Sequence, residues 1–271
     1  MRVLQPRTKA EALKMLADDA GLIPIAGGTD LLVHWPTRPS EHDRAYIDLS
    51  RLGELKGVQW SDGQLVLGAL VTYWDVITDA RATRELPLLA RAARQVGSIQ
   101  IQARGTWAGN VVNASPAADG VPVLMAYDAT VVVESQRGRE EVALADFYQG
   151  YKQMRRSPDQ LVVEIRVPRR PYSVQWFEKV GSRRAQAIAK IGLAVVRGEQ
   201  GWRVVAASMA PTVCRCRALE RQLTEGHPVT SPDDFLAAIA RDVSPIDDIR
   251  STAHYRRQVM ARVLYHGLQS P

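Results

Sequence analysis

Two cysteines, Cys214 and Cys216, are all that the 271-residue chain contains. They stand in a C-x-C spacing, and two thiolates alone cannot complete a four-ligand zinc or iron–sulfur site. No histidine lies near them until His227. The sequence therefore predicts reduced thiols and no cluster of the chain's own. Long apolar runs are missing too: nothing approaches the roughly 18 consecutive apolar residues of a membrane span. The opening MRVLQPRTKAEAL lacks the apolar core of a secretory signal, which leaves the cytoplasm as the expected compartment. Aromatic residues make up only 6%. That scarcity counts against nucleic-acid binding despite a net charge of +6, because stacking platforms need aromatics. The arginines also fall in scattered pairs such as Arg155-Arg156 and Arg183-Arg184, where a nucleic-acid surface would need a dense stripe. The five histidines (His34, His42, His227, His254 and His266) fit no metal-ligand spacing. No Ser-His-Asp or Cys-His set stands out either.

What remains is the composition of an ordinary soluble globular protein, 46% hydrophobic and 24% charged. A helix is predicted over residues 8–19, with Thr8 as cap and Glu11 completing a capping box. A short strand follows at 22–26, interrupted by Pro24 and so placed at an edge or irregular; a helical turn begins at Asp30, and another strand spans 46–49. Residues 58–67 read as a β-hairpin turning at Ser61-Asp62-Gly63. Helices are predicted at 74–77 and 86–96, and strands at 130–134 and 161–167. The stretch RGTWAGNVVNASPAAD, residues 104–119, shows no convincing period and reads as an extended loop. After Arg169-Arg170-Pro171, a plausible boundary, come three strand-like runs at 173–180, 188–196 and 202–209. Helices at 217–223, 232–241 and 252–268 complete the chain, so the last hundred residues read as a three-stranded antiparallel sheet covered by helices.

Two small-residue loops carry the functional signal. Ala26-Gly27-Gly28-Thr29-Asp30 sits where a strand gives way to a helical turn, so exposed backbone N–H groups can meet an anion such as a pyrophosphate. It is neither a Walker loop nor a Rossmann fingerprint, and taken alone it reads more readily as a tight structural turn. The second loop offers Gly105, Thr106, Ala108, Gly109 and Asn110, with Asn113, Ser115 and Asp119 downstream. A long polar loop inside a compact domain is uncommon without a function, although a self-satisfied Asx and Ser turn system would also account for it.

Together these loops resemble the FAD-binding medium subunit of the molybdenum hydroxylases, the family of xanthine and aerobic carbon monoxide dehydrogenase flavin subunits. The resemblance runs along nearly the whole chain, through QPRTKAEALKML, AGGTDLL, LGALVTYWDV, GSIQIQARGTWAGNVVNASPAAD, LVVEIRVP, FEKVGSRRAQAIAKIGLA and PIDDIRSTAHYRRQV. It implies an α+β fold: a two-part FAD-binding domain of the p-cresol methylhydroxylase/vanillyl-alcohol oxidase type over residues 1–170, with a small α/β lobe to about residue 55 and a mixed α+β lobe beyond. A C-terminal domain of the carbon monoxide dehydrogenase flavoprotein type would cover 171–271. It further implies non-covalent FAD held by Pro24, Ile25, Ala26, Gly27, Gly28, Thr29, Asp30 and Leu31 around the pyrophosphate. The second set is Thr106, Trp107, Ala108, Gly109, Asn110 and Asp119, with Val162 and Lys179 toward the flavin end. Lys179 could stabilise negative charge on a reduced flavin, or be a solvated strand lysine.

The usual T-I-G-G-N pattern is here Thr106-Trp107-Ala108-Gly109-Asn110, a bulkier and tighter version. The implied partners are a 2Fe–2S small subunit and a molybdopterin-binding large subunit, in a dimer of heterotrimers, with NAD or another acceptor taking the electrons. A stand-alone flavin-dependent oxidase or dehydrogenase is the alternative, though the chain has no obvious spare domain for a substrate pocket.

Overall fold

A computed structural model describes residues 2–34, 44–226 and 228–269; His42 and His227 lie outside the described residues. The chain opens with β1 (Arg2–Leu4), α1 (Lys9–Asp18), β2 (Ile23–Ile25) and β3 (Ala45–Asp48). These strands form a small parallel sheet in the order β1-β3-β2. Pro24 therefore lies on an edge strand, where its missing N–H costs no ladder bond. Thr8 caps α1 by accepting from the Glu11 N–H, but the Glu11 carboxylate takes the N–H of Arg7 instead of closing the box on Thr8.

The second lobe adds β4 (Val58–Ser61), β5 (Gln64–Gly68), α2 (Tyr73–Thr78), α3 (Ala80–Glu85), α4 (Pro87–Ala93), α5 (Ile99–Gln102), α6 (Trp107–Asn113) and α7 (Gly120–Ala126). It continues with β6 (Thr130–Ser135), β7 (Gly138–Ala143), β8 (Tyr148–Gly150), β9 (Gln153–Met154) and β10 (Leu161–Pro168). Five of these strands pair antiparallel in the order β4-β5-β10-β6-β7, and β8 and β9 make a separate hairpin. The helix α6 corrects the expectation of an extended loop over 104–119. Thr106 caps it, its hydroxyl accepting the Gly109 N–H at 2.9 Å, and Ala114 ends it in the left-handed region at φ 49. Trp107, Ala108 and Val111 are its buried residues, a short apolar face that small-residue composition had hidden.

The chain ends with β11 (Tyr172–Val180), β12 (Ile191–Gly198), β13 (Gly201–Ala207), β14 (Cys214–Arg215), α8 (Arg217–Glu225), α9 (Leu236–Asp242) and α10 (Ala253–Gln269). The three expected strands pair antiparallel, and two-residue β14 adds a fourth at the edge. Strand alternation gives this sheet two apolar faces. Ala194, Val196, Val205 and Ala207 join the core of the first two lobes, while Leu193, Val195, Val204 and Ala206 pack beneath the last helices. Among the described residues no helix is long and apolar enough to cross a membrane.

Candidate functional site

The loop after β2 and the segment before α6 lie against each other. A Cβ built on Gly27 would stand 1.8 Å from the Arg104 carbonyl oxygen, and one on Gly105 would stand 3.3 Å from the Thr29 hydroxyl. Gly28, at φ +74, supplies the left-handed turn that brings the chain round. Main-chain bonds fix the second segment: the Trp107 N–H donates to Val71 O and the Tyr73 N–H to Gly105 O, both at 3.1 Å.

Between these loops opens a cavity of about 560 Å³, in the size range of a ligand site. Of the sixteen residues the sequence singled out, Pro24, Ala26, Gly27, Gly28, Thr29, Asp30, Leu31, Thr106, Ala108, Gly109, Asn110 and Val162 line it. Ile25, Trp107, Asp119 and Lys179 do not. Trp107 is fully buried with its ring centroid 5.2 Å from that of Tyr73. Its edge presses on Gly120, where a Cβ would come within 3.1 Å of the indole and 2.9 Å of Asn110 Oδ1. The bulk at position 107 is thus taken up by an absent side chain at position 120.

Asp119 and Lys179 form a buried ion pair, Nζ to Oδ2 2.6 Å, with side chains 13% and 7% exposed. Lys179 Nζ also donates to Gln95 O at 3.0 Å. Burial pushes the Asp119 carboxyl up to about 6, although Lys179 beside it pulls the other way. The pair ties β11 to α7 and to the segment after α4 behind the cavity, so Lys179 is not a solvated strand lysine.

Several wall residues escaped the sequence reading. Tyr73, Val96, Ile101 and Leu161 furnish an apolar side, and Lys152 and Arg156 approach from the β8–β9 hairpin and just beyond it. Tyr73 is buried, which holds its phenol well above the ordinary tyrosine range. Burial lowers Arg156 from its usual value. Asn113 Nδ2 donates to Asp30 Oδ1 at 2.9 Å, joining the two loops through side chains.

The donor set decides what can sit here. Among the described residues, no protein acceptor takes the main-chain N–H of Gly27, Gly28, Thr29 or Asp30. Asn110 Oδ1 is likewise buried without a partner among the described residues. Four consecutive uncommitted N–H groups in the cavity lining suit a diphosphate, and the apolar wall around Val96, Ile101 and Leu161 suits a flat ring system. An extended dinucleotide such as FAD fits both.

Comparison with known proteins points the same way. Residues 1–170 match the model of the FAD binding domain in molybdopterin dehydrogenase, and residues 176–270 match the CO dehydrogenase flavoprotein C-terminal domain. The xanthine dehydrogenase FAD-binding subunit of Escherichia coli O157:H7 is 30% identical, over 92% of this chain and 88% of that one. Caffeine dehydrogenase subunit beta of Pseudomonas sp. strain CBB1 is 31% identical, over 96% and 90%. A solved structure of the carbon monoxide dehydrogenase from Hydrogenophaga pseudoflava contains a chain that superposes with a TM-score of 0.89 at 27% identity, covering 100% of this chain and 96% of that one. The chain accordingly belongs to the FAD-binding flavoprotein subunits of the molybdenum hydroxylase family of oxidoreductases.

Proposed function

We propose that this chain holds FAD in the cavity between its two loops and passes electrons from the 2Fe–2S clusters of a small partner subunit to NAD or another acceptor. The electrons originate at a molybdopterin-bearing large subunit, and the three chains assemble as a dimer of heterotrimers in the cytoplasm. The reading rests chiefly on the four uncommitted N–H groups of Gly27 to Asp30, placed opposite Thr106, Gly109 and Asn110. In this scheme the first loop and the Thr29 hydroxyl bind the diphosphate. Ala108, Gly109, Asn110 and Val162 contact the rest of the cofactor, and the apolar wall excludes water from its ring. Asp119 and Lys179 act from behind the wall, fixing β11 and setting the local charge. Bound there, FAD supplies the ability to exchange electrons one or two at a time. Residues 1–170 would form the flavin-binding domain and 171–271 the C-terminal domain.

The test is purification of the native assembly through a tag on this chain, with iron, molybdenum and flavin measured per chain. Co-purifying small and large subunits carrying iron and molybdenum support the reading. A flavin-loaded chain that isolates alone and oxidises a substrate unaided would instead establish a solitary oxidase.

A further inference from the structure

The β8–β9 hairpin sends one side chain into the cavity wall, to the end of α6. Lys152, at its turn, adopts φ +57, a left-handed conformation that a non-glycine residue takes only at a cost. From there its ammonium donates to Asn113 O at 2.6 Å and to Asn113 Oδ1 at 2.7 Å. Asn113 is the last residue of α6, and its amide donates onward to Asp30 Oδ1 at 2.9 Å. An unbroken chain of bonds thus joins the hairpin, the end of α6 and the first loop, three segments far apart in sequence. All three residues line the cavity.

We propose that Lys152 is a positioning residue for the cofactor cavity, holding the end of α6 against the first loop through Asn113 and Asp30. The proposal deepens the flavin reading and rests on it. The ammonium satisfies a helix-end carbonyl that has no other partner among the described residues. It also fixes which way the Asn113 amide points, since with Oδ1 accepting from Lys152 only the NH2 group is left to face Asp30. Charge assistance at both ends, Lys152 and Asp30, strengthens the relay. Without the lysine the Asn113 side chain is free to rotate, and the spacing of the two loops is no longer set from this side.

The experiment is titration of the apo, full-length chain with FAD, followed by quenching of flavin fluorescence. The apo unfolding midpoint of each variant is measured alongside. Lys152→Met is expected to weaken FAD roughly tenfold or more, the scale of losing charge-assisted hydrogen bonds. Lys152→Arg, which can still donate to both oxygens, is expected to recover most of the loss. Lys152→Met combined with Asn113→Ala should bind FAD no more weakly than Asn113→Ala alone, because both remove one relay. Lys152 is exposed, so these variants are expected to fold. The proposal is overturned by a Lys152→Met protein that binds FAD within about twofold of wild type, by simple addition of the two single effects, or by a loss of apo stability without loss of affinity. Failure of the wild type itself to bind FAD would overturn the flavin reading and this inference with it.

Discussion

Asp119 sits where burial and an ion pair oppose each other, and the balance has a sign that can be measured. Its carboxyl is raised from the ordinary aspartate value of 3.8 to about 6, so the folded protein holds this proton more tightly than the unfolded chain. The stabilisation is full below the unfolded value and is lost as pH rises from about 4 through about 6. The stability difference between wild type and Asp119→Asn should therefore shift against wild type by about 3 kcal/mol between pH 3.5 and 7. Urea unfolding at several pH values checks this; a difference independent of pH would contradict it. A second residue-scale outcome concerns Gly27, whose missing Cβ leaves room for the Arg104 carbonyl. Gly27→Ala must push the loops apart, at about 1–3 kcal/mol of packing, and FAD titration should show at least a tenfold loss of affinity. Residues of this kind were legible in the sequence because a glycine pair after a strand has a direct backbone meaning. Lys152 and Tyr73 were not, since a lysine on a hairpin and a tyrosine in an apolar run acquire their places only when distant segments meet.

The short helix α6 shows what period-based reading misses at the level of the element. Seven residues leave too few turns to display a periodicity, and glycine, alanine and asparagine suggest a loop. Tertiary anchors make the helix: the Thr106 cap, the Trp107 bond to Val71 and the buried indole. Thr106→Ala should cost about 1 kcal/mol in urea unfolding and weaken FAD as the helix start loosens, while Thr106→Ser should stay near wild type. Equal behaviour of the two variants would show that the cap is not what holds α6. The longer elements were easier to read, because β10, β11 and β13 carry branched and aromatic runs bounded by glycine or proline. The fourth strand of the last sheet was hidden because it is only Cys214–Arg215, too short for any alternation.

Across the whole molecule, one aspartate gathers several of the arginines that clasp the C-terminal sheet to the second lobe. Asp128, in a left-handed turn at φ 54 between α7 and β6, receives Arg203 at 2.9 Å and Arg170 at 3.0 Å, with Arg215 at 3.7 Å. Together with Asp119–Lys179 it joins the sheet to α7 at a second point. Asp128→Ala leaves three arginines facing one another and should cost about 2 kcal/mol in urea unfolding, with FAD affinity little changed because the clasp lies away from the cavity wall. A large loss of affinity without loss of stability would contradict that separation. The central claim, that the cavity between the two loops is the FAD site, is tested most directly by amide hydrogen exchange with and without saturating FAD. Protection is expected in peptides covering residues 26–32 and 105–114, with none in α8 to α10. Protection confined to the C-terminal helices, or none in either loop, would contradict it.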